Sequence, residues 1–293
     1  MQTGLDKVLN SLALTAIENS DSQSAIKLFT GYGTDDSGDR IYGGQVMAQA
    51  ISAAQQSCDS EFKLHSMHSS FLRQGALDKI ITYSVDPVRD GRSFLTRNVT
   101  ALQDNNDGIA RPIFSATLSF QKDETGPSHA VAMPEAPAAE SLANEEQRIG
   151  EFFTQTGLSN DYDWPIDVRF VEPVDLANPQ ARPPRALVWV KAKGTLPSDD
   201  TVHKQMFAYA SDNPILLPAF YPHGITPFTP NVMAATLSHS IWIHQAFNAD
   251  DWLLFDIESD FTGGGRGMGK AKVFDKDGRL VASAIQEGLV RKK

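Results

Sequence analysis

The chain has 293 residues, 36 acidic against 26 basic side chains for a net charge of −10, and a single cysteine. Its length exceeds a typical domain of about 100–200 residues, and 41% hydrophobic with 21% charged residues is the composition of a packed globular protein, which excludes bulk disorder and collagen-like repeats. The acidic balance argues against non-specific nucleic-acid binding, and Cys58 alone excludes an internal disulfide or a cysteine-rich zinc site.

Leu5, Val8, Leu9 and Leu12 fall at helical spacing and predict a short amphipathic helix near the start. A second helix is expected over GGQVMAQAISAAQQ from Gly43, opened by a glycine pair. Strands follow: Ile81, Tyr83 and Val85 alternate, as do Phe114, Ala116, Leu118 and Phe120. From Lys122 to Arg185 the composition changes, with MPEAPAAESLANEE and NPQARPPR, and predicts a surface linker with little regular structure in which DVRFV could open a strand.

The order of elements then repeats. VHKQMFAYAS reads as a helix, LSHSIWIHQAF at 237–247 echoes HSMHSSFLRQG at 65–75, and WLLFDIESDF corresponds to KIITYSVDPV. RGMGKAKVFDKDGRLVASAIQEG parallels the stretch 92–121. A helix and several long antiparallel strands, twice over, predict two α+β units sharing a continuous sheet.

Several motifs fail. There is no G-x-S-x-G elbow and no H-E-x-x-H. His65 and His68, like His239 and His244, are spaced to point to opposite faces of a strand and read as hydrogen-bonded structural histidines. GGRGMGKA at 264–271 nearly fits a P-loop, but Ala271 has no hydroxyl for magnesium, and the context is a strand rather than a helix. Its glycines read as sites of close backbone approach. Arg266, Lys270 and Lys272 on that strand could face an anion or simply solvent.

Three residues carry potential chemistry. Asp212 in AYASDNP either caps a helix, with Pro214 in its first turn, or stands half-desolvated at an apolar edge where it could polarise a water. Thr236 opens the strand TLSHSIWIH, on the face of Ser238, Ser240 and Trp242, opposite Leu237, Ile241 and Ile243. Gln286 shares a strand face with Ala282, Ala284 and Gly288, small neighbours that would admit a helix laid across the sheet; the bland reading is an edge glutamine in solvent.

Together these residues match a family. The chain resembles the acyl-CoA thioesterase II family through IYGGQVMAQA (41–50), HSMHSSFLRQG (65–75) and VRDGRSFLTRNV (88–99). The match continues in FAYASDNPILLPAFYPHG (207–224), AATLSHSIWIHQAF (234–247), DWLLFDIESDF (251–261) and VASAIQEGLVR (281–291). The resemblance implies an α+β double hotdog: an N-terminal unit over 1–121, a Pro-rich linker over 122–164 and a C-terminal unit over 165–293. It implies hydrolysis of fatty acyl-CoA by direct water attack, without cofactor or metal, with Asp212, Thr236 and Gln286 holding the water. The amides of Gly43, Gly44 and Gln45 are candidate oxyanion donors, and Arg92, Arg266 and Lys270 candidate partners of the CoA phosphates. Ser52 stands near the equivalent of Asp212 in the first half, so one site per chain is expected. An enoyl-thioester hydratase or a non-catalytic acyl-CoA sensor or carrier are the alternatives. A homo-dimer or homo-tetramer is expected from the fold. With no apolar run near the roughly 18–20 residues of a membrane span, no secretory leader at MQTGLDKVLNSLAL and no peroxisomal ending, a cytoplasmic location is expected.

Overall fold

The computed structural model describes residues 2–21, 23–34, 40–104, 107–157 and 163–292. The first half runs α1 (Gly4–Ser11), β1 (Thr15–Ile17), β2 (Lys27–Gly31), α2 (Gly43–Gln55), β3 (Lys63–Phe71), β4 (Ile81–Asp90), β5 (Phe94–Asp104) and β6 (Ala110–Gln121). After α3 (Glu145–Thr156) the second half runs β7 (Ile166–Phe170), β8 (Arg185–Ala192), α4 (Asp200–Ser211), β9 (Val232–Ile243), β10 (Leu253–Gly263), β11 (Arg266–Asp275) and β12 (Leu280–Lys292). These strands form one sheet in the order β1-β2-β4-β5-β6-β3-β9-β12-β11-β10-β8-β7. Read outward from its centre the two halves have the same order, so the sequence repeat is a repeat in space and the chain is a double hotdog.

The seam is the antiparallel pair β3–β9, from Ser66 opposite Trp242 to Ser70 opposite Ser238. Side chains reinforce it: Ser69 Oγ donates to the His239 carbonyl at 2.7 Å, and His68 Nδ1 lies 3.1 Å from Ser240 Oγ. α2 and α4 are buried on nearly every side, α2 through Val46, Met47, Ala50 and Ile51 and α4 through Met206, Phe207 and Tyr209. They share one core cluster with the inward residues of β3–β6 and β8–β12. Glycines set how closely elements meet. A Cβ on Gly44 would stand 2.3 Å from the Tyr209 carbonyl oxygen, and one on Gly269 would stand 1.9 Å from that of Ile215. The P-loop-like glycines thus serve close packing, with the Gly264–Gly265 turn at φ 59° and 76°.

Two sequence expectations need correction. The Pro-rich linker holds a 12-residue helix, α3, capped by the Asn144 side chain on the Gln147 amide and closed by Gly157 at φ 74°. Its prolines, Pro137 and Pro165 nearest, stand outside the helix, so they break the segment only at its borders. His65 and His68 were expected on opposite faces by strict alternation, but a bulge between Leu64 and Ser66 interrupts β3 between them. His65 Nε2 meets Ser119 Oγ at 2.8 Å, so both histidines are hydrogen-bonded.

Candidate active site

α4 starts on the Asp199 side chain, which accepts from the Thr201 amide, and ends at Asp212, its C-terminal cap residue in the right-handed region. No α-helix begins after it; Pro214 leads into short 3-10 turns at Leu217–Ala219 and Tyr221–His223. Asp212 therefore is not an N-cap. Its carboxylate faces the start of α2 and the ends of β9 and β12. Small residues let it come so near: a Cβ on Gly288 would meet Leu216 at 2.4 Å, and one on Gly43 would meet Asp212 Oδ2 at 2.6 Å.

Thr236 reaches the carboxylate through an irregularity that alternation does not encode. In the β9–β12 register Gly288 opposes Thr236 while Glu287 opposes Ser238, so Leu237 is an extra residue. This bulge turns Thr236 away from the face of Ser238 and Ser240, where sequence alternation put it, onto the helix side with His239. Gln286 needs no such device, because Ala282, Ala284, Gln286 and Gly288 are all buried on the face that α4 covers, whereas Ile285 is exposed.

The three side chains converge. Thr236 Oγ1 donates to Asp212 Oδ1 at 2.8 Å, and Gln286 Nε2 lies 2.8 Å from both Asp212 Oδ1 and Thr236 Oγ1. Gln286 also donates to the Asp212 carbonyl at 3.2 Å. Burial pushes the Asp212 carboxyl up to about 6, while hydrogen bonds from Thr236 and the Gly44 amide act in the opposite sense. Desolvation wins, leaving a carboxyl group that titrates close to neutrality.

His239, read from sequence as a hydrogen-bonded structural histidine, is fully buried behind the carboxylate and cross-strand from Gln286. Ser211 Oγ donates to the Ala208 carbonyl at 3.0 Å, so it accepts from His239 Nε2, also at 3.0 Å. That places the imidazole proton on Nε2 and leaves Nδ1 a bare acceptor, 3.8 Å from Asp212 Oδ1. Burial pushes His239 down to about 3, so it stays neutral at working pH. Among the described residues His239 Nδ1 and Gln286 Oε1 are the buried side-chain polar atoms without a partner, both on side chains that lie against Asp212.

The site opens into a cavity of about 700 Å³ bordered by Gly43, Phe71, Asp212, Thr236 and Gln286, with Arg40 and Arg73 among its lining residues. Residues of both halves thus meet there. The expected cations do not. Gly267 and Gly269 face inward on β11, so Arg266 and Lys270 face outward, where Arg266 pairs with Glu287 at 3.0 Å and Lys270 with Asp260 at 2.8 Å. Arg92 is exposed in the β4–β5 turn, at the end of the sheet where Phe94, Lys63 and Gln121 meet, whereas the cavity lies at the Phe71 end. Arg73, which donates to the Pro112 carbonyl at 2.7 Å, is the cavity arginine the sequence offered within FLRQG. Of the three amides expected to face an oxyanion, Gly44 bonds Asp212 and Gln45 bonds the Tyr42 carbonyl at 3.1 Å. Ser52 donates to the Leu12 carbonyl at 2.7 Å and forms no second site. Among the described residues there is no cluster of metal-ligating side chains and no helix long and apolar enough to cross a membrane.

A family model described as acyl-CoA thioesterase matches residues 159–289, and one described as the acyl-CoA thioesterase N-terminal domain matches 33–121. Acyl-CoA thioesterase 2 of Haemophilus influenzae is 34% identical over 269 residues, covering 90% of this chain and 92% of that protein. The chain belongs to the acyl-CoA thioesterase II family. Mouse acyl-coenzyme A thioesterase 8 is likewise 34% identical, over 87% of this chain and 81% of its own. The crystal structure of the acyl-CoA thioesterase II TesB2 from Mycobacterium marinum superposes with a TM-score of 0.76 at 31% identity, covering 98% of each chain. As an acyl-CoA thioesterase the protein is a thioester hydrolase, which displaces the sensor and hydratase alternatives. His203 of α4 is engaged structurally, its Nδ1 accepting from the Ala249 amide at 3.0 Å.

Proposed function

We propose that this thioesterase hydrolyses fatty acyl-CoA by direct attack of water, with Asp212 as general base and Thr236 and Gln286 as the groups that orient it. The observation carrying this reading is the division of labour on one carboxylate. Oδ1 takes the bonds of Thr236 and Gln286, while Oδ2 is turned to Gly43, where any larger residue would collide. A water donating to Oδ2 gives up its proton as its oxygen bonds the thioester carbon. The tetrahedral intermediate then expels the CoA sulfur, which recovers the proton from Asp212, so acid and thiol leave with the base regenerated. General-base assistance contributes roughly 10²–10⁴-fold, and fixed orientation adds to it.

Arg40 and Arg73 replace Arg92, Arg266 and Lys270 as the cations offered to the CoA phosphates, because they border the cavity. The same reading retains a cytoplasmic location, supported by the lone Cys58, and a homo-oligomer, supported by the exposed apolar side chains Phe261 and Val88. The test is thiol release from medium- and long-chain acyl-CoAs by wild type and Asp212→Asn. A loss of about 100-fold or more in the variant supports the base assignment; equal rates overturn it.

A further inference from the structure

Beside the catalytic cavity is a second chamber of about 220 Å³. Its own walls are Ile149 of α3, Trp164, Phe170 of β7, Val174 and Leu176, and it shares Asn213, Leu217, Phe220, Pro227 and Phe228 with the catalytic cavity. The two spaces are therefore neighbours with a common partition, and that partition starts at the residue next to Asp212. The one charged side chain in the chamber wall, Glu145, is paired with Arg148, which also donates to the Val174 carbonyl at 2.5 Å. What remains is a largely apolar chamber that shares a wall with the catalytic cavity.

We propose that this chamber houses the distal part of the substrate's acyl chain, and that α3 sets how long a chain the enzyme accepts. The inference rests on the hydrolase reading above and adds where the alkyl tail goes. A thioester carbonyl held at Asp212 directs its chain along the partition of Leu217, Phe220 and Phe228. Phe228 is the adjustable element: it is 39% exposed and borders both spaces, and the Phe152 and Phe153 rings of α3 lie 6.1 and 5.5 Å from it. Ile149, 5% exposed, comes from the buried side of the same helix and closes the chamber. Each methylene drawn into such a space raises kcat/KM about fourfold until the space is full.

The test is the chain-length profile of kcat/KM from butyryl- to palmitoyl-CoA for wild type, Ile149→Trp and Leu176→Trp. Filling the chamber should cut the rate with long chains by about tenfold or more while butyryl-CoA is hydrolysed at the wild-type rate, which also shows that the variants fold. A flat wild-type profile overturns the proposal. So does a wild-type slope preserved in both variants, or an equal loss at every length in both. Asp212→Asn tests the base independently, since a shifted length profile with an active Asp212→Asn enzyme would support the chamber while rejecting the base.

Discussion

The two central helices both bury polar side chains, but they differ in what those side chains have left to do. On α2, Gln49 donates to the Ser11 carbonyl at 2.7 Å and the Tyr32 carbonyl at 3.0 Å, and accepts from Tyr83 Oη at 2.6 Å. Gln45 ties Thr34 and Tyr32, and Ser52 ties Leu12. Every one of these bonds fastens a first-half helix end, loop or strand onto α2. At the end of α4, by contrast, three polar side chains crowd onto a carboxylate that desolvation keeps near pKa 6, with two buried acceptors beside it unpaired. A buried glutamine is thus ambiguous by itself. Complete satisfaction marks a brace, and a carboxyl whose pKa burial has raised marks a candidate site.

The largest expected effect that sharpens this contrast is on stability. A carboxyl whose pKa rises from 3.8 to about 6 on folding stabilises the fold below its unfolded value and loses that contribution as pH rises through about 6. Asp212→Asn should therefore be more stable than wild type by roughly 3 kcal/mol above pH 7. The difference should vanish below about pH 4 in urea titrations, while wild-type kcat/KM falls about tenfold per unit below pH 6. A variant no more stable at neutral pH would break the idea of a strained base. Next come paired substitutions. Gln49→Leu should cost about 1–3 kcal/mol of stability with kcat unchanged, because it strands its buried partners. Thr236→Val should instead lower kcat roughly ten- to a hundredfold with little change in stability. If both moved the same observable, the distinction between brace and site would fail. Smallest is the effect at the charges: Arg73→Ala should raise KM for acyl-CoA several-fold, whereas Lys270→Ala on the outer face should leave it unchanged.

The residues explain which features could be read in advance. Gln286 is legible because its strand alternates from Ala282 to Val290, and Ala282, Ala284 and Gly288 announce a close neighbour. Thr236 was found by resemblance but assigned to the wrong face, since one extra residue at Leu237 reverses the parity of everything before it. The outward direction of Arg266 and Lys270 was in fact written in Gly267, Gly269 and Ala271, the small residues of the inner face. α3 is hidden in the overall proline content of its segment, while its own signals, Asn144 before it and Gly157 after it, are local. The spacing of His239 suggests no more than a hydrogen-bonded strand histidine; its place 3.8 Å from Asp212 comes from which groups the fold sets against it.

The β3–β9 seam has one more consequence. Gly43, Gly44 and Phe71 come from one half of the chain and Asp212, Thr236 and Gln286 from the other, so the site exists only where the halves dock. Because both are parts of one polypeptide, that docking is a unimolecular event whose effective concentration does not change with dilution. The meeting of the two halves is thereby insulated from expression level, and covalent linkage of the halves frees each to specialise, one as brace and one as chemist, without risk of pairing with the wrong copy.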